Sequence, residues 1–170
     1  GNSDTPLGAL DLITPTANDN VKTKLLVLST EAIGAQATAT KFFAWATPTA
    51  PAQGYLLNGV VTLSLEQKDG GANRMTAGLY SCPAAAPITT ITTGPNACTE
   101  ITTGVSPAVG GGNGFLTRTV TFPAVNATIV AGNQLRLKIV NRSTGSLSTS
   151  DFTIQWGYGP SRPSQLVTVP

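Results

Sequence analysis

The chain has 170 residues and a mass of 17.4 kDa, the size of one domain. Hydrophobic residues make up 41%, enough for a core, but charged residues only 11%, against about 25% in an average soluble domain. There is no His, and 18 Gly and 12 Pro punctuate the chain; a helical bundle, a coiled coil, a His-based hydrolase, a haem protein and a His-ligated zinc site are therefore excluded.

Residues 1–20 contain Pro6, Gly8, Pro15 and the polar run Asn18-Asp19-Asn20 around a short apolar stretch from Leu7 to Ile13. This composition predicts an extended N-terminal arm over 1–20, leaving 21–170 as a single domain. Leu25 to Leu28 reads as a short buried strand, and Phe42, Phe43 and Trp45 as part of another, stopped by Thr47-Pro48. Val61, Leu63 and Leu65 alternate with Thr62, Ser64 and Glu66, the period of a half-buried strand. Lys68 to Gly71 predicts a turn, and Arg74 to Tyr80 a strand leading to Cys82.

Beyond a Pro- and Thr-rich excursion and the run Gly110-Gly111-Gly112-Asn113-Gly114, strand character resumes from Phe115 to Phe122. Leu135, Leu137 and Ile139 alternate with Arg136 and Lys138, and Phe152, Ile154, Trp156 and Tyr158 alternate with Thr153, Gln155 and Gly157. Leu166 and Val167 close the series. No window carries a convincing helical period, since Glu31 to Thr38 is short and holds Gly34. Nine or ten short strands at this spacing predict an all-β, antiparallel β-sandwich, jelly-roll-like in type.

Cys82 and Cys98 are the only cysteines. Their even count and loop-like setting predict a disulfide and a secreted, extracellular protein. The chain begins at Gly1 with no initiator Met, which suggests a mature product whose leader has been removed. Closing a loop of about 15 residues is worth roughly 3 kcal/mol in the chain-entropy model. Asn126-Ala127-Thr128 and Asn141-Arg142-Ser143 fit the N-glycosylation pattern. The ten Lys and Arg are scattered, so nucleic acid is a poor partner. No apolar run reaches the length of a membrane span.

Groups able to do chemistry are few. The acids are Asp4, Asp11, Asp19, Asp69, Asp151, Glu31, Glu66 and Glu100; they read as arm, turn or outward-facing residues rather than a paired general acid and base. Asn18 to Asn20 lacks the remaining ligands of a calcium loop, and Gly110 to Gly112 lacks the Lys and helix of a phosphate cradle. These absences predict no catalytic residues, no metal and no cofactor. Two binding modes remain. Trp156 and Tyr158 could stack on a sugar, as in a non-catalytic carbohydrate-binding module. Alternatively Leu7, Leu10, Leu12 and Ile13 could add the arm as a strand to a neighbour's sheet. Scarce charge leaves strand edges unguarded, and head-to-tail strand donation propagates into a filament.

The stretch Ala131-Gly132-Asn133-Gln134-Leu135-Arg136-Leu137-Lys138-Ile139, continuing through Tyr158 to Pro163-Ser164-Gln165-Leu166, resembles the closing strands of jelly-roll-like β-sandwich domains on secreted bacterial and archaeal surface proteins. An apolar arm before such a sandwich also looks like strand-donating subunits of extracellular filaments. That resemblance implies an assembly role, and the leading expectation is a homopolymeric structural subunit.

Overall fold

The computed structural model describes residues 24–28, 30–31, 42–69, 74–86, 97–105, 116–142, 152–156 and 165–169. The expected arm, with Leu7, Leu10, Leu12 and Ile13, lies outside the described residues. Within them the fold is all-β, with no helix. The strands are β1 (Lys24–Leu28), β2 (Thr30–Glu31), β3 (Phe43–Ala46), β4 (Tyr55–Asp69), β5 (Arg74–Pro83), β6 (Thr99–Val105), β7 (Leu116–Thr121), β8 (Val125–Ile129), β9 (Asn133–Arg142), β10 (Phe152–Trp156) and β11 (Gln165–Val169).

They form two sheets, antiparallel in every pairing except the two-residue parallel contact of β2 with β9. The first sheet is built on β4. Residues 62–67 of β4 pair with β7 and residues 55–59 with β8, while β11 and β10 pair with 60–64 and 66–69. β7 and β8 thus descend β4 in succession, interrupted at Phe122-Pro123-Ala124, where proline has no N–H to give the ladder. The second sheet has β9 at its centre, with β3 on one side and β5 then β6 on the other.

The alternation of β4 orients it as expected where side chains are described: Val61 and Leu63 are buried, and Thr62 and Ser64 half-buried. One apolar cluster draws on both sheets. Leu57, Val61, Leu63, Val120, Phe122, Val125 and Ile129 come from the first or its β7–β8 connection, and Ala77, Leu79, Leu135, Leu137 and Ile139 from the second. The sheets approach closely at Gly104 of β6, where an added Cβ would lie 2.6 Å from Val120 Cγ1.

The period-2 rule places Arg136, Lys138 and Val140 on the face of β9 turned away from this cluster. Arg136, Lys138 and Val140 are all buried there, as are Thr76 and Tyr80 on the same face of β5. β5 and β9 are thus covered on both faces, whereas Thr99 and Glu100 at the start of β6 are exposed.

Candidate functional site

The buried polar face of the second sheet is where charge and low dielectric coincide, so it is the place to look for chemistry. Register sets its geometry. Arg136 stands between Ala46 of β3 and Tyr80 of β5, and Lys138 between Ala44 and Gly78. The small side chains beside Lys138 leave space for its stem. Its Nζ sits 4.5 Å from the centroid of the Phe42 ring, a cation–π contact worth about 2 kcal/mol when desolvated.

All three guanidinium nitrogens of Arg136 donate hydrogen bonds. Nη1 donates to Ala86 O at 2.7 Å, and Nη2 donates to Pro83 O at 3.2 Å, Ala84 O at 3.4 Å and Gln134 Oε1 at 3.2 Å; Nε donates to the same Gln134 oxygen at 3.3 Å. Residues 83–86 form a turn closed by the Ala86 N–H on Pro83 O, and Ala84 N–H reaches Gly132 O. The turn follows β5 because Pro83 ends the ladder and its carbonyls, left without strand partners, face the guanidinium. Burial pulls the Arg136 pKa below its ordinary value, an effect of desolvation opposed by these acceptors. The group stays protonated near neutrality and adds no slope to stability there.

Cys82 and Cys98 are joined as the sequence predicts. The disulfide packs against Tyr80 and ties the far end of the excursion to the sheet beside the Arg136 turn. A guanidinium bonded to three main-chain carbonyls and the Gln134 side chain holds structure rather than presenting a fork to a substrate. Among the described residues, no three Cys, Asp or Glu side chains gather as metal ligands. No helix there is long and apolar enough to cross a membrane.

The other predicted positions scatter. Asn126 is exposed on β8, whereas Asn141 lies on β9 opposite both Met75 and Thr30. Trp156 ends β10 opposite Lys24, and Tyr158 lies outside the described residues. Arg136 with the turn it supports, and Lys138 over Phe42, were not legible as a site, since their partners lie far away in sequence.

No protein-family model matches the chain, and no curated protein matches it significantly. Solved structures do share the fold. An aminopeptidase from a marine sediment Thaumarchaeota archaeon superposes with a TM-score of 0.54 at 10% identity, over 75% of this chain and 25% of that one. A CocE/NonD family hydrolase from Staphylococcus aureus gives 0.59 at 8%, over 85% and 32%. An α-amino acid ester hydrolase gives 0.53 at 12%, over 74% and 25%. The chain therefore spans only a quarter to a third of the proteins it resembles.

These neighbours overturn the expectation of a filament subunit polymerising through Leu7, Leu10, Leu12 and Ile13, because the solved structures that share the fold are hydrolases. The physical reason is in the second sheet. Scarce charge predicts unguarded edges open to a neighbouring subunit, but this chain buries two of its few cations, Arg136 and Lys138, on one face of β9, so its low charge is no measure of open edges.

Proposed function

We propose that the chain is a non-catalytic β-sandwich, jelly-roll-like in type, acting as an accessory unit of a larger ester- or peptide-bond hydrolase outside the reducing cytosol. One observation carries the reading: 74–85% of this chain superposes on 25–32% of each hydrolase, leaving most of each enzyme outside the match. The chemistry of the chain agrees with it. A sequence without His has no imidazole base for acyl transfer, and Arg136 is occupied by the turn it holds. The disulfide supports an oxidising compartment.

The test is to challenge the purified chain with p-nitrophenyl acyl esters, α-amino acid esters and aminoacyl p-nitroanilides, alongside a serine-directed fluorophosphonate probe. Turnover indistinguishable from a heat-inactivated sample, with no probe adduct, is expected. Saturable hydrolysis abolished by one Ser→Ala substitution in this chain would contradict the reading.

A further inference from the structure

The outward face of the β4–β8 ribbon differs from the rest of the described surface. Leu56, Asn58 and Val60 face solvent from β4, and Asn126, Thr128 and then Val130 face it from β8 and its end. Leu56 is 60% exposed, Val60 43% and Val130 53%, and they are the exposed large hydrophobics among the described residues. All three surround one sequence feature. Asn126-Ala127-Thr128 satisfies the N-x-Thr acceptor pattern, with Asn126 directly opposite Asn58 and Thr128 opposite Leu56. Both acceptor residues are exposed while Ala127 between them turns inward, so the strand's own period presents the Asn and Thr together.

We propose that Asn126 is an N-glycan attachment site and that the first sugars of the glycan lie over Leu56 and Val60. Diagonal positions across an antiparallel pair are about 7–8 Å apart, within reach of a pyranose linked to Asn126. The C–H faces of such sugars can cover apolar side chains that the protein leaves bare. Asn141, in the second matching triplet, pairs with strands on both sides of β9. In the transfer, Asn126 Nδ2 bonds to C1 of a lipid-pyrophosphate-linked oligosaccharide. The C1–O bond breaks, the pyrophosphate leaves with its electron pair, and the amide gives up one proton to the transferase base. No oxidant or reductant takes part.

The experiment is secretion of the chain from a eukaryotic host, followed by peptide mass spectrometry after amidase release in H₂¹⁸O, which marks a formerly glycosylated Asn as labelled Asp. Label at residue 126 is expected in the parent chain and in Asn141→Gln. It should be lost in Asn126→Gln and Thr128→Ala and restored in Thr128→Ser, a variant that keeps the hydroxyl and guards against loss through misfolding. Secreted, folded parent chain without label at 126 would overturn the site. Binding of bis-ANS to the folded chain should rise at least two-fold on deglycosylation, and Leu56→Ser/Val60→Ser should abolish that rise. Equal dye binding with and without glycan would overturn the covering role.

Discussion

At Gly54 and Gly132 the backbone adopts φ of +67° and +80°, a region that residues with a Cβ rarely occupy. The two sites differ in their surroundings. A Cβ on Gly54 would stand 2.6 Å from Ile129 O, a main-chain atom held in β8, whereas nothing lies within 4 Å of the same position on Gly132. Gly132→Ala should therefore cost about 1 kcal/mol, the left-handed penalty alone. Gly54→Ala should add overpacking against a fixed carbonyl and cost about 3 kcal/mol. Urea denaturation of the two variants checks this, and equal losses would show that the Ile129 carbonyl is free to move aside. Neither difference could be read from the sequence, where both residues are simply glycines in turn-like settings.

Among the elements, β4 bears the first sheet, pairing with four other strands. Leu63 is fully buried between the sheets and Leu56 faces outward. Leu63→Ala should cost 2–5 kcal/mol, roughly the range for a buried leucine, and Leu56→Ser should stay within about 0.5 kcal/mol of the parent; denaturant midpoints at constant slope are the measurement. The alternation Val61 to Ser64 made this strand legible, because one buried face imposes a strict period of two. β6 was not legible: Thr99–Val105 is mostly polar and interrupts its own period with a bulge opposite Leu79/Tyr80, where Ile101 turns inward. β8 was legible only in part. Val125, Ala127 and Ile129 do alternate, but five residues after a proline give a weak signal and drew notice for the acceptor triplet instead.

For the whole molecule, strand content and the disulfide followed from composition, because Thr, Val, Gly and Pro have few other uses in such proportions. The covered outer face did not follow. Burying Arg136 depends on carbonyls at residues 83–86, some 50 positions away in sequence, and no local pattern encodes a partnership of that range. Function was still less legible: the few charges suggested open edges, whereas the structure uses two of its cations inside, Arg136 on the turn and Lys138 on Phe42.

Arg136 bonds to the carbonyls of the 83–86 turn, and the Cys82–Cys98 disulfide fixes the end of β5 from which that turn leaves, so the two should act together as a clamp on this end of the second sheet. A double-mutant cycle in urea tests it most directly, using Arg136→Met, Cys82→Ala/Cys98→Ala and their combination. Each change alone should cost about 2–4 kcal/mol. Because either loss loosens the turn that the other grips, the combination should fall short of the sum by more than about 1 kcal/mol. Additivity within about 0.5 kcal/mol would mean that the two act on separate parts of the molecule, and the clamp would have to be abandoned.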